Sequence, residues 1–170
     1  NHAGNFEMND LKWLGGLIDT DGCFSISKSL RKGDNVVYSP SVIVTNKNEL
    51  ILGKVVDILR SNSINHYVKK NGSCTNLQIS RPTVLNVFLD LIGNKVLTKR
   101  NELEILKNFC QLRVENVNRN GCNWKAGYTK EEISLAMELS FLNKNHYGEC
   151  VEYSLIDGLV PDYLMKDFSV

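Results

Sequence analysis

The stretch LGGLIDTDG, residues 14–22, decides the fold, and it is unusual for an isolated helix. Leu11, Leu14 and Ile18 recur at helical spacing, which predicts a helix that ends at the turn formed by residues 19–22. Two adjacent glycines inside a helix cost on the order of 1 kcal/mol each relative to Ala. Because glycine lets two backbones approach closely, a second helix packed against this segment would offset that cost.

The same segment places two acids, Asp19 and Asp21, at the helix C-terminus, where the helix dipole disfavours a carboxylate. If the packing partner is the same helix of a second copy, the two-fold axis brings both Asp21 side chains together. Paired carboxylates repel unless a cation lies between them, and Mg²⁺ prefers oxygen ligands. Beside a phosphate backbone, such ions form a two-metal hydrolysis site. The residues alone leave open that Asp-Thr-Asp-Gly is only a helix-ending turn.

Outward from this segment, the periodicity predicts the order α-β-β-α-β-β-α followed by further helices. Asn9 or Asp10 is expected to cap the first helix, and Gly72 to supply the tight turn of the second hairpin. The strands are expected at about 24–29, 36–44, 66–70 and 75–80, and the later helices at about 47–61, from 82, 98–116 and 130–143. The last helix has the capping-box pair Thr129 and Glu132.

These elements predict an α+β fold in which the helices cover one face of an antiparallel sheet and leave the other face wet. With 170 residues, we expect a single domain over 1–170, with a core at about 9–115 and a helical addition at about 116–170. The five scattered cysteines form no disulfide or zinc pattern, which favours a reducing compartment. The expected localisation is therefore intracellular, and an organelle (chloroplast or mitochondrion) and a microbial cytoplasm both meet this condition. No run of apolar residues is long enough for a membrane span, so no membrane partner is expected.

The wet face of the sheet is expected to be rich in groups that hydrogen-bond to bases and phosphates. Residues 25–81 carry nine Lys or Arg against three acids, whereas residues 131–170 carry two Lys against eight acids. This separation of charge favours a polyanion on one side of the molecule, although charges on any surface vary by segment. The expected DNA-contacting residues are Ser25, Ser27, Ser29, Arg31, Ser39, Ser41, Tyr67, Lys69, Lys70, Asn71, Asn76, Gln78 and Ser80.

The stretch at 14–22 resembles the motif of the LAGLIDADG homing endonucleases and differs from it at Gly15 and Thr20, so that seven of nine letters match. The strand at 23–26, the dipeptide at 45–46 and the segment 97–100 also resemble that family, so the similarity covers about residues 9–115. The resemblance implies an αββαββα half-saddle with extra C-terminal helices here. It implies a concave sheet in the DNA major groove and the motif helix at a dimer axis. It also implies double-strand cleavage.

By the same resemblance, Asp21 and the carbonyl of Thr20 would hold Mg²⁺, with Mn²⁺ or Ca²⁺ able to substitute. Asn46 would position the attacking water, and Lys99 or Arg100 would supply a basic residue; the register alone does not choose between these two. A second basic position of some members corresponds here to Leu50, a departure from the pattern. Asp19 is expected to cap its own chain end or the partner helix.

A single motif implies a homodimer on a long, nearly palindromic DNA site, since protein and site symmetry agree. The expected dimer interface comprises Leu11, Leu14, Gly15, Ile18 and Asp19. The alternative is a non-cleaving nucleic-acid-binding protein of the same fold, either an intron maturase that binds intron RNA or a DNA-binding regulator. A small-molecule enzyme or interaction domain would leave the polar sheet face unexplained.

Overall fold

The computed structural model describes residues 2–146, so residues 147–170 of the helical addition expected at 116–170 lie outside the described residues, as does Cys150. The described chain has the predicted α+β order. Its elements are α1 (His2–Asp21), β1 (Gly22–Arg31), β2 (Asn35–Asn46), α2 (Glu49–Ser61), β3 (Tyr67–Asn71), β4 (Cys74–Ser80), α3 (Pro82–Ile92), α4 (Arg100–Arg119) and α5 (Lys130–His146).

The four strands form one antiparallel sheet in the order β1-β2-β4-β3. Phe24 pairs with Val42 and Val44 pairs with Leu77, and all four side chains are buried. Because side chains alternate along a strand, this register turns one apolar face toward the helices. The sheet therefore has a packed face and an open face, as the sequence predicts.

The helices begin where local chemistry satisfies their first N–H groups. The side chain of Asn48 accepts a hydrogen bond from the Leu50 N–H at 2.9 Å, so α2 begins at Glu49 and not at 47. Pro82 occupies the first turn of α3, where its missing N–H costs nothing. The predicted capping box of α5 is confirmed, because Thr129 and Glu132 exchange hydrogen bonds at 2.9 and 3.2 Å.

The prediction that Asn9 or Asp10 caps the first helix is wrong, because α1 begins seven residues earlier, at His2. Residues 2–8 contain no proline, so nothing in the sequence breaks the helix there. The expected helix at 98–116 is also displaced and runs over Arg100–Arg119. Among the helices of residues 2–146, none combines the length and apolar character needed to cross a membrane.

Candidate active site

The C-terminus of α1 and the end of β2 meet at one end of the sheet and bring two predicted site residues together. Asp21 is the last residue of α1, and Asn46 is the last residue of β2. The Asn46 Nδ2 group donates to the Asp21 Oδ2 atom at 2.7 Å, and the Asn46 Oδ1 atom accepts from the Asn48 N–H at 2.7 Å. The backbone therefore orients the Asn46 amide, which presents its donor side to the half-buried carboxylate of Asp21.

The structure shows which of Lys99 and Arg100 lies near Asp21, a choice that the sequence alone leaves open. The Lys99 side chain is 4% exposed, and its ammonium group donates to the backbone carbonyl of Gly22, next to Asp21. Arg100 is exposed and begins α4. Lys99 is therefore the basic residue of this cluster, which comprises Asp21, Asn46 and Lys99.

Asp19 caps a helix of its own chain. Its carboxylate accepts hydrogen bonds from the N–H groups of Leu97, Thr98 and Lys99 and from the Thr98 hydroxyl, at distances of 2.9 to 3.3 Å. These donors lie just before α4, so Asp19 holds the segment that leads into this helix. Partial burial would raise the pKa of Asp19, but the hydrogen bonds outweigh it and lower the pKa below its ordinary value.

Replacing Asp19 with Ala is expected to lower the free energy of unfolding by about 1–2 kcal/mol at pH 7, because the start of α4 loses its cap. Because the pKa of Asp19 is lower in the folded state, its ionised carboxylate stabilises the fold at pH values above the unfolded pKa of about 3.9. This stabilisation is lost as the pH falls through the folded pKa. Urea unfolding at pH 7 and pH 3 measures both effects. Asp57→Ala, which changes an exposed carboxylate on α2, is the control. A difference from wild type that does not shrink at low pH would contradict this role.

The residues expected at a dimer interface lie instead against their own chain. Leu14 and Ile18 are 1% and 0% exposed in the core, and Leu11 packs against that core. A Cβ added at Gly15 would lie 2.5 Å from the Lys95 carbonyl oxygen, so this glycine admits the loop after α3. The prediction is therefore corrected for Leu14, Gly15 and Ile18, which are buried within one protomer. Asp19 binds the segment before α4, and Leu11, which is partly buried, stays a prediction.

Gly16 lies on the side of α1 that faces away from the buried Leu14 and Ile18. It is exposed, and nothing lies within 4 Å of an added Cβ. Met8, Lys12 and Thr20 are also exposed at four-residue spacing, so they share this face of the helix with Gly16. We call these four residues the α1 outer face. The sequence predicts that another helix packs closely against the glycine doublet; within one chain the close approach occurs at Gly15 alone, and a loop makes it.

The strand register puts nearly all the expected DNA-contacting residues on the open face of the sheet. These are Ser25, Ser27, Ser29, Arg31, Ser39, Ser41, Tyr67, Lys69, Asn71, Asn76, Gln78 and Ser80. Ser41 is only 5% exposed on that face. Lys70 is the exception: its neighbour Lys69 takes the open face, and the Lys70 ammonium lies 3.5 Å from the Glu49 carboxylate at the start of α2.

The oxygen atoms of Asp21 and Thr20 are suitable ligands for a hard divalent cation. Asp21 offers a carboxylate, and the Thr20 carbonyl belongs to the last turn of α1, whose carbonyls have no partner further along the helix. Within the described residues, no cluster of three or more His, Cys, Asp or Glu could hold a metal alone. Mg²⁺ typically takes one or two carboxylates and completes its shell with waters and phosphates, so the residues present fit this ion.

Comparison with solved structures finds the same fold in DNA-bound endonucleases. The archaeal intron-encoded homing endonuclease I-Vdi141I complexed with DNA matches with a TM-score of 0.62 and 18% identity, over 79% of this chain and 84% of that chain. The homing endonuclease I-CvuI, solved with the I-CreI target and Mg, matches with a TM-score of 0.56 and 16% identity, over 79% and 97% of the two chains. The LAGLIDADG meganuclease I-AabMI bound to uncleaved DNA matches with a TM-score of 0.54 and 20% identity, over 76% of this chain and 43% of that chain.

Among curated protein sequences, none matches this chain significantly. The family model described as LAGLIDADG endonuclease matches residues 14–112, which is more than half of the chain and includes the ends of α1 and β2. The chain therefore belongs to the LAGLIDADG endonuclease family.

Proposed function

We propose that this chain is a site-specific DNA endonuclease that hydrolyses phosphodiester bonds with Mg²⁺ as a homodimer. The cluster of Asp21, Asn46 and Lys99 carries the proposal, because it joins an acid, an amide and a buried ammonium at the end of a polar sheet face. Exposing a random duplex library to the protein and Mg²⁺ tests it. Cleavage at a set of related, nearly palindromic sites is expected. Selective binding without any cleavage would favour the non-cleaving alternative.

The open sheet face is the proposed DNA-binding surface. It presents hydroxyl, amide and cationic side chains, which together can contact base edges and phosphates in the major groove. The helices cover the other face and leave this one available. The DNA-bound relatives of the same fold, I-Vdi141I among them, support the assignment of a DNA partner.

Each residue of the cluster has a role that follows from its contacts. Asp21 and the Thr20 carbonyl would hold Mg²⁺, which when bound would polarise the phosphate and supply an acidified water. Asn46 is held by the Asn48 N–H and donates to one oxygen of Asp21, and in the proposed reaction its amide would orient a water beside that carboxylate. Lys99 holds its positive charge on the carbonyl of Gly22, the residue that follows Asp21, and this charge would stabilise charge that develops on the phosphate.

Residues 1–170 carry one such motif and a duplex has two strands to cut, so a second copy of this chain would supply the second site. This chain corresponds to 43% of I-AabMI, so that protein is about twice the length of the matched region. We assign the α1 outer face to the dimer contact, because Gly16 leaves room there for a second backbone. A two-fold axis through this face would lie near the end of α1, where Asp21 stands.

Replacing Gly16 with Leu is expected to weaken the dimer by about ten- to a hundredfold, since overfilling a close helix contact costs about 1–3 kcal/mol. Sedimentation equilibrium measures the dissociation constant. Gly53→Leu is the matched control, because Gly53 is also an exposed helical glycine with nothing within 4 Å of an added Cβ, but it lies on α2. Equal dimer affinities of the two variants would exclude the α1 outer face as the interface.

A further inference from the structure

A row of three residues crosses the open sheet face from β2 to β3. Thr45 lies directly opposite Asn76 on β4, and Asn76 lies directly opposite Lys69 on β3. The Thr45 hydroxyl donates to the Asn76 Oδ1 atom at 2.8 Å. Cross-strand neighbours have Cβ atoms about 5 Å apart, so the three side chains form a continuous transverse strip.

The hydrogen bond from Thr45 changes what Asn76 can offer to a base. A free asparagine reads adenine with both its oxygen and its nitrogen, accepting from N6 and donating to N7. Here the oxygen is turned toward Thr45, so the amide presents its NH₂ group away from it. One of the two acceptor sites on the Asn76 oxygen is therefore occupied, and the NH₂ group is the part of the amide that is fully available to a base.

Lys69 adds a second group of the same kind. Its ammonium has three donors and no acceptor, and the residue is exposed beside Asn76. In the major groove, guanine presents two acceptors, N7 and O6, whereas adenine and cytosine each present an amino donor. A strip with two adjacent donors therefore matches guanine best.

We propose that Asn76 and Lys69 read a guanine in each half of the DNA target, and that Thr45 is the positioning residue that sets this preference. The inference rests on the proposed DNA-binding function and extends it to one base. Thr45 acts through Asn76 and is not itself the reading group.

The test is selection by binding, with no cleavage step, from a random duplex library that is sequenced after recovery. Asn76→Ala first identifies the target position read by this strip, as the position whose preference is lost. In wild type, this position is expected to be guanine. In Thr45→Val, the guanine preference there should fall about tenfold and adenine should rise, since a good base contact discriminates to about this extent. Thr45→Ser restores the hydroxyl and should restore guanine.

If Thr45 had only a structural role, Thr45→Val would weaken binding to all DNA sequences. With the proposed role, Thr45→Val changes the base preference at one target position and leaves the preferences at the other positions in place. An unchanged guanine preference in Thr45→Val would overturn the role of Thr45. Adenine at the position identified by Asn76→Ala in wild type would overturn the guanine assignment. Both results leave DNA selectivity intact, so they differ from a wild-type protein that enriches no sequence, which would overturn the proposed function together with this inference.

Discussion

Replacing Asp21 with Asn is expected to reduce Mg²⁺-supported DNA cleavage at least about a hundredfold while leaving sequence-selective DNA binding in place. Asp21 supplies the only carboxylate of the cluster it forms with Asn46 and Lys99. An amide of the same shape retains one oxygen but loses the negative charge that a hard cation needs. Losing an electrostatic group that stabilises the transition state costs about 3–4 kcal/mol, which corresponds to a factor of about 10² to 10³ in rate.

The measurement is single-turnover cleavage of a selected target, with binding followed in parallel on the same duplex. Asp10→Asn is the control, because Asp10 lies on the same helix but near the Lys54 side chain, at 3.9 Å, and away from the cluster. Undiminished cleavage by Asp21→Asn would remove this carboxylate from the reaction. Loss of binding together with cleavage would mean that Asp21 serves the fold or the dimer.

Replacing Arg113 with Met is expected to lower the free energy of unfolding by about 3–5 kcal/mol, the cost of removing one partner from a buried ion pair. Arg113 and Glu132 are 3% and 0% exposed, and their charged atoms lie 3.4 Å apart. The guanidinium also donates to the carbonyls of Trp124 and Ala126, at 3.0 and 2.8 Å. Without it, the buried Glu132 carboxylate loses its counter-ion and keeps only the hydrogen bonds from Asn116 and Thr129, while the two carbonyls lose this donor.

The same guanidinium lies over the Tyr128 ring, 4.0 Å from its centre, and the Tyr128 hydroxyl hydrogen-bonds the backbone of Tyr38 in β2. The network therefore ties the loop before α5 to the sheet, which is why its loss should affect the whole domain. Arg119→Met, the same change at an exposed position of α4, is the control and should alter stability by less than about 0.5 kcal/mol. Urea unfolding at one protein concentration measures both variants, and a loss below about 1 kcal/mol for Arg113→Met would contradict the role of the network.

The order of helices and strands was predictable because each element has its own pattern of apolar and polar residues in the sequence. The alternation of Phe24 and Ile26 with serines predicts a strand with one buried face, and the structure buries both apolar side chains. The family resemblance predicts Asp21 and Asn46 as site residues, and the structure joins their side chains by a hydrogen bond. These features depend on short-range patterns that a single sequence displays.

The direction of a side chain was harder to predict where tertiary contacts decide it. Leu14, Gly15 and Asp19 look available for a partner helix, but Leu14 is buried in the core of its own chain. The loop around Lys95 to Thr98 contacts the other two, Gly15 and Asp19. Lys70 has the same charge as Lys69, and only the strand register assigns it to the other face. The choice of Lys99 over Arg100 likewise depends on where α4 begins, which Asp19 fixes from a distant part of the sequence.

The central claim is that two protomers each contribute one Asp21-centred site to a double-strand cut. Heterodimers made from one wild-type protomer and one Asp21→Asn protomer, isolated through two different affinity tags, test it on the selected target. We predict that these heterodimers nick a single strand, while wild-type homodimers cut both strands of the same duplex. Double-strand cleavage by the heterodimer, at the rate of the wild-type protein, would contradict the account.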